Sequence, residues 1–437
     1  MTSICLFVGH RKLQKIPNCA MFKFDFQFEE EDDEQVQIPT TTFVTPTQSS
    51  QANAGTSNSV KNDRGIDRRC HHLSLDELIK TLPDAISYSP LYHQTLYTPL
   101  LRRDLFDARF QLINKGTEGE PKEIVTPENE DEGDYVDAKT DLIPGLYEGG
   151  LKTWEGGVDL VEVLARSLPG NTTEEQNKNV GEWVKGGKVL EVGCGTSLPT
   201  AFLLRSLLSL PTSSAPSKTI LHLQDYNQLV LSLVSLPNLI LAALPYLPPE
   251  VLRLADEGDE PIETVVPDLE EPGNLSLNKD LVEAFQKLLK ERGIELIFTY
   301  GHWEGLSKKL KEEKDGYGLV LTAETIYSQD STPALIDVLR EAVGKSGPIE
   351  HKADVELESS LEDLRVKDDW TKRPLREISS GLALVAAKVL YFGVGGGLQA
   401  FLHAAEANGA YHCTVKEWSQ GVGRKVVQIG WWLNGVE

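Results

Sequence analysis

Residues 187–200, GKVLEVGCGTSLPT, constrain the fold of this chain more tightly than any other stretch. Val189, Leu190 and Val192 predict a short buried strand, Gly193-Cys194-Gly195 a tight turn, and the apolar run 198–208 a helix. That order opens an α/β unit whose turn faces a ligand. Glycine lets the backbone approach closely, and the first N–H groups of the helix point toward an anion or a ribose. A dinucleotide fingerprint would place its third glycine at position 198, which is Leu198 here. What is left is acidic-x-Gly-x-Gly at Glu191, Gly193 and Gly195. A glycine turn without a ligand is the plainer alternative.

Later strands decide between the two, because ligands of parallel sheets bind outside the carboxyl ends of the strands. The second predicted strand, 219–223, ends on Gln224-Asp225-Tyr226-Asn227, where a carboxylate offers acceptors for both ribose hydroxyls. It follows Gly195 at more than the usual spacing of about 20 residues, and the Pro/Ser loop 211–218 accounts for the excess. The third, 295–300, ends on Gly301-His302-Trp303-Glu304, with Trp303 either beside a flat ring or half-buried in the core. The fourth, 317–322, runs into Ala323-Glu324-Thr325-Ile326-Tyr327. The fifth, 382–392, meets Gly393, Gly395, Gly396 and Gly397, a backbone suited to unusual dihedrals or to close approach by a peptide substrate, with a tight turn as the alternative. Ahead of the first strand, Lys152-Thr153-Trp154-Glu155-Gly156 lies in a glycine-rich loop that could fold over a cofactor, or could merely lead Trp154 into the core. A helix is predicted over 158–168, another after Asn227 that Pro237-Asn238 interrupts, and a terminal hairpin over 411–418 and 425–431. The expected fold is α/β, a doubly wound, mostly parallel seven-stranded sheet with a C-terminal antiparallel hairpin.

Composition divides the chain. Residues 1–72 read as an acidic, disordered N-terminal region, 73–140 as a helical lead-in with an acidic linker, and 141–437 as the α/β domain. Insertions are expected near 241–292 and 344–375, with the Pro-rich acidic stretch 244–275 poorly ordered. Ser74 with Glu77 resembles a capping box ahead of a helical pattern that lasts until Pro83. Phe22, Phe24, Phe26 and Phe28 alternate after Met21, as a docking strand or a sticky tail would. Six acids run from Glu29 to Glu34, and the formal charge is −23, which excludes a nucleic-acid backbone binder and suits a basic partner. The five cysteines are scattered and the histidines form no ligand array, so neither a disulfide framework nor a metal site is expected. With no run of about 20 apolar residues, no membrane span is expected either. The natural compartment is reducing.

The acidic-x-Gly-x-Gly turn resembles motif I of the class I S-adenosylmethionine methyltransferases. The larger set 141–155 (DLIPGLYEGGLKTWE), 189–195 (VLEVGCG), 224–227 (QDYN), 301–304 (GHWE), 321–327 (LTAETIY) and 391–397 (YFGVGGG) resembles the protein-histidine N-methyltransferases of the seven-strand class. ETIY with FGVGGG is the most specific part, since lysine methyltransferases of the same fold share the other pieces. The resemblance implies a Rossmann-like methyltransferase domain and transfer from S-adenosyl-L-methionine to the tele nitrogen of a histidine in a basic large-subunit ribosomal protein of the L-three type. It also implies a role in ribosome biogenesis and translation, a cytoplasmic and nuclear (nucleolar) location, and a monomer without direct nucleic-acid contact. By the same analogy Trp154, Glu191, Gly193, Asp225, Tyr226 and Trp303 hold the cofactor, with Lys152, Thr153, Glu155, Gly156, Cys194, Gly195, Gln224, Asn227, Gly301, His302 and Ala323 around it. Glu324, Tyr327 or the glycine carbonyls would hold the imidazole N–H, although Glu324 could instead pair with a backbone N–H. A lysine methyltransferase and a non-catalytic adaptor for ribosomal proteins are the rival readings.

Overall fold

The computed structural model describes residues 68–117, 142–143, 147–253, 268–313, 315–344, 381–391, 397–419 and 421–431. The Phe alternation at 22–28, the acidic run 29–34, the polar segment 346–374, and Gly393, Gly395 and Gly396 lie outside them. All the described residues belong to one compact unit.

Five strands, Lys188–Val192, Thr219–Asp225, Ile294–Gly301, Leu319–Ala323 and Leu382–Lys388, pair in parallel around the first of them. Their apolar residues are near-continuous because both faces are covered. Val189, Leu221, Leu223, Leu319, Leu321, Leu382 and Leu384 point to one side, into the core shared with helices Glu155–Arg166, Thr173–Val184 and Leu198–Leu208. Leu190, Val192, Val320, Ala383 and Val385 point to the other, against Trp303–Glu312, Thr332–Val343 and Leu398–Ala407. This alternation of two is the pleat itself. Arg424–Trp431 pairs antiparallel with the fifth strand, and Ala410–Trp418 pairs antiparallel with it in turn. The sheet is therefore mixed and has eight strands, not seven. The extra one, Cys70–Leu73, adds antiparallel to the edge strand Ile294–Gly301.

That strand moves the boundary set at residue 72, since Cys70, His71 and His72 fall in the region read as disordered, and the lead-in that follows holds strands as well as helices. The capping box forms, with the Ser74 N–H donating to Glu77 Oε2 (2.8 Å) and the Glu77 N–H to Ser74 Oγ (3.2 Å), but the helix it starts covers only Leu75–Ile79. Ala85–Leu91 and Leu100–Arg103 then form a three-stranded sheet with Gly273–Ser276. The latter strand and the helix Lys279–Arg292 fall inside the expected 241–292 insertion. The acidic composition of that region hid an apolar stripe at Leu281, Val282, Phe285, Leu288 and Leu289 that buries one helix face.

Pro237 does not interrupt its helix. The backbone stays helical from Gln228 to Tyr246, widening to a π turn at Leu231–Ser235 just ahead of the proline. Proline has no N–H for the carbonyl four residues back, that of Leu233, and Arg103 Nη1 donates to this oxygen instead (2.6 Å). This helical stretch is also long and apolar enough to span a membrane, contrary to the sequence reading, which its Ser, Pro and Asn residues disguised. It lies 83% buried within the fold.

Candidate active site

The carboxyl ends of the five parallel strands share one rim, and hydrogen bonds tie their tips together. Gly193 and Gly195 adopt positive φ (61° and 50°), the backbone that lets the chain leave the first strand and turn back over it. The Gly193 N–H donates to Gln224 Oε1 (3.3 Å), the Cys194 N–H to the Gln224 carbonyl (2.8 Å) and the Gly195 N–H to Asp225 Oδ2 (2.9 Å). Gln224 reaches the third strand as well, its Nε2 donating to the Gly301 carbonyl (3.0 Å) while Oε1 accepts from Trp303 Nε1 (3.0 Å). One buried amide thus sets the first, second and third tips in register. The Gly301 N–H closes onto the Tyr226 carbonyl (3.2 Å), and the Tyr226 hydroxyl pairs with His302 Nε2. Asn227 caps the helix that follows, its Oδ1 accepting from the Leu229 N–H (2.9 Å).

Asp225 stands at the strand end, as the sequence placed it, but its oxygens already serve the loop. Oδ2 takes the Gly195 N–H and Oδ1 takes the Asn227 N–H (3.1 Å). Burial pushes its pKa up to about 6, against the pull of these N–H donors. Glu191 points to the face that carries helix Leu198–Leu208, and its Oε2 accepts both the N–H (3.0 Å) and the hydroxyl of Thr200. Burial raises it to about 8. Cys194 is buried beside Ser235 Oγ (3.6 Å), and desolvation lifts its thiol well above the ordinary range.

From upstream, the loop carrying Lys152, Thr153, Trp154 and Glu155 reaches the same rim. A Cβ at Gly195 would lie 3.2 Å from the Gly150 carbonyl. Trp154 is the N-cap of helix Glu155–Arg166, with its indole N–H on the Gly149 carbonyl (2.7 Å). The half-buried ring carries the Lys152 and Lys388 ammoniums 4.7 and 5.4 Å from its centroid. The helix starts at Glu155 rather than at 158. Two glycines lower helix propensity there, but a Cβ at Gly156 would come within 3.1 Å of the Glu324 side chain. Gly156 is small for that approach, and its N–H donates to Glu324 Oε1 (3.3 Å).

Glu324 follows Ala323, the last residue of the fourth strand, and is 9% exposed with φ 58°. Its other oxygen, Oε2, accepts from the Tyr391 hydroxyl (2.5 Å). Burial raises its pKa, opposed in turn by Tyr391, Lys388 and the Gly156 N–H. The next residue, Thr325, lies where a Gly193 Cβ would be, 2.6 Å from it, so the first and fourth tips touch. Tyr327 is half-buried three residues on. Gly397 is extended (φ 173°), a conformation open to any residue, so the expectation of unusual dihedrals does not apply to it. Tyr391 and Thr325 fall within the motifs 391–397 and 321–327, but the sequence reading assigns neither of them a role. Both sit beside residues that have one, and neither hydroxyl announces its partner by spacing.

Among relatives, the chain is 30% identical over 318 residues to histidine protein methyltransferase 1 of Saccharomyces cerevisiae, covering 72% of this chain and 69% of that one. It is 27% identical over 362 residues to the Schizosaccharomyces pombe protein of the same name, covering 81% and 83%. To the Bos taurus homolog it is 29% identical over 66% of this chain and 57% of that one. No family model matches. Among solved structures, an O-methyltransferase family protein from Burkholderia thailandensis aligns at 12% identity and TM-score 0.27 over 64% of this chain and 60% of that one. The magnesium protoporphyrin IX methyltransferase of Synechocystis aligns at 8% and 0.27 over 63% and 97%. Likenesses so weak do not bear on the assignment. The relatives do, and the chain belongs to the histidine protein methyltransferase family.

Proposed function

We propose that this chain transfers the methyl group of S-adenosyl-L-methionine to the tele ring nitrogen of a histidine in a basic large-subunit ribosomal protein of the L-three type. The observation that carries the reading is the convergence of the strand tips at 193–195, 224–227, 301–303 and 323–325 on one hydrogen-bonded rim. Half-exposed Gly193 and Gly195 offer bare backbone there, and the half-buried rings of Trp303 and Tyr226 suit an adenosyl group. These four residues, with Trp154 from the upstream loop, would hold the cofactor. When bound, it supplies an electrophilic methyl on a sulfonium and needs little further activation.

The protein's part is placement. A neutral imidazole, with a reference pKa of about 6.5, is already nucleophilic at pH 7. Holding it in line with the methyl carbon removes most of the entropic barrier. With the cofactor bound, a ring nitrogen's lone pair would form the new N–C bond as the C–S bond breaks with its electrons left on sulfur. The imidazolium that results later gives its remaining N–H proton to water. A carboxylate on that N–H fixes the tautomer beforehand and stabilises the charge as it develops. Glu324 is a buried carboxylate at this rim, and among the described residues Gly156 and Tyr391 donate to it, one to each oxygen, out of about four lone-pair sites.

Mass spectrometry of large-subunit ribosomal proteins from cells lacking this chain should show one histidine unmethylated. An unchanged methylation pattern would refute the substrate. Replacing that histidine by lysine should abolish turnover, whereas continued methylation would favour the lysine-modifying reading. Failure to bind S-adenosyl-L-methionine in a calorimeter would leave only the adaptor.

A further inference from the structure

Glu324 and Ser197 are the non-glycine residues with positive φ among those described. The left-handed region is disfavoured for a side chain with a Cβ, so contacts elsewhere hold Glu324 in place. Its N–H donates to the Ala386 carbonyl of the neighbouring strand (2.9 Å), and its two oxygens take Gly156 and Tyr391. Tyr391 is itself held from behind, its oxygen accepting from the Lys388 N–H (3.2 Å). A hydroxyl has one proton to give, and here it goes to Glu324.

We infer that Tyr391 is the positioning residue of the methyl-acceptor site, orienting the Glu324 carboxylate and holding it ionised so that it accepts one ring N–H of the substrate histidine and leaves the other nitrogen free to attack. This rests on the histidine-methylating reading above. The requirement is specific. A protonated Glu324 would donate rather than accept, favouring the opposite tautomer or none. Burial works toward protonation and the Tyr391 bond works against it. Tyr391 stays a donor throughout, because burial and the facing carboxylate push its own ionisation far up.

Among the described residues, the other charges acting on Glu324 are Lys388 and Arg424, which favour the carboxylate, and Asp159, which opposes it. Glu155 is shared between the same two cations, at 3.8 Å from Lys388 Nζ and 3.6 Å from Arg424 Nη1. All of these persist in Tyr391→Phe, which removes one hydroxyl from the group.

The test uses the full chain, S-adenosyl-L-methionine with a labelled methyl, and total large-subunit ribosomal protein as acceptor. Tyr391→Phe should lower kcat at pH 7 by tenfold or more while changing KM for either substrate less than threefold. Loss of the hydroxyl raises the Glu324 pKa, so the acid limb of the kcat profile should move to higher pH. The substrate imidazole contributes the same limb to both enzymes, and the shift is read from their difference. Fragmentation spectra should show the product less strictly confined to one ring nitrogen. Glu324→Gln should lose activity as deeply, and the double variant no further, because the two side chains act as one unit. An unchanged kcat and acid limb in Tyr391→Phe, or losses that add in the double variant, would overturn the inference. If Tyr391→Phe does not fold, a folded Glu324→Gln enzyme with full turnover overturns it alone. Wild-type protein that methylates no histidine would instead remove the parent reading.

Discussion

Glu191 and Asp225 are buried carboxylates on adjacent strands, and desolvation acts on both in the same direction. An acid whose folded pKa lies above its unfolded value binds its proton more tightly in the fold. Its contribution to stability is therefore complete below the unfolded pKa and is lost as pH rises through the folded one. For Glu191 that window runs from its ordinary 4.5 to about 8, and for Asp225 from 3.8 to about 6. Glu191→Gln keeps an acceptor for the Thr200 N–H but cannot ionise. Thermal unfolding of variant and wild type between pH 5 and 8 should show the difference moving steadily in favour of the variant. The limiting slope is one proton, about 1.4 kcal/mol per pH unit. A flat difference would mean that Glu191 ionises in the fold without cost.

At the scale of elements, two glycines mark where the pieces press together. Gly181 lies in the last turn of helix Thr173–Val184, and glycine within a helix ordinarily costs about 0.5–1 kcal/mol relative to alanine. A Cβ there would fall 2.3 Å from the Ser206 carbonyl oxygen of helix Leu198–Leu208. Gly181→Ala therefore sets a propensity gain against overpacking of about 1–3 kcal/mol, and overpacking should win. A lower melting temperature is expected, and a higher one would show that the helices part easily. Gly305 plays the same part between the third tip and the added edge strand, since a Cβ would meet the Cys70 nitrogen at 2.3 Å. Gly305→Ala should loosen Cys70–Leu73 and, through the adjoining Trp303, weaken cofactor binding measured by calorimetry. Unaltered affinity would separate that strand from the site.

At the scale of the molecule, if the acceptor is the basic ribosomal protein proposed above, a chain of net charge −23 should attract it through acidic runs such as 29–34. KM for the ribosomal acceptor should rise steeply with salt, and deletion of residues 21–34 should flatten that dependence. Equal KM values for deleted and intact chains at low salt would count against recruitment by this run.

What could be read from one dimension was whatever repeats locally. The two-residue alternation of Leu319-Val320-Leu321 and of Leu382 to Val385 declares strands buried on both faces. Glycines at 193 and 195 after such a strand declare a turn over it, and the residue types at 224–227, 301–304 and 323–327 mark the later tips. The membership of Cys70–Leu73 in the main sheet was decided only in three dimensions, because pairing with a strand more than 220 residues away leaves no local trace. The same holds for Pro237, whose tolerance depends on an arginine from Leu100–Arg103. The side-chain bonds at the rim follow suit: Asp225 is engaged by Gly195, Glu191 by Thr200, and Glu324 by Gly156 and Tyr391. Sequence alone determined which strand ends make the rim, since strand period and turn chemistry are short-range. Which atom each residue meets there was left to the packing of distant segments, and that packing is what aims the carboxylates.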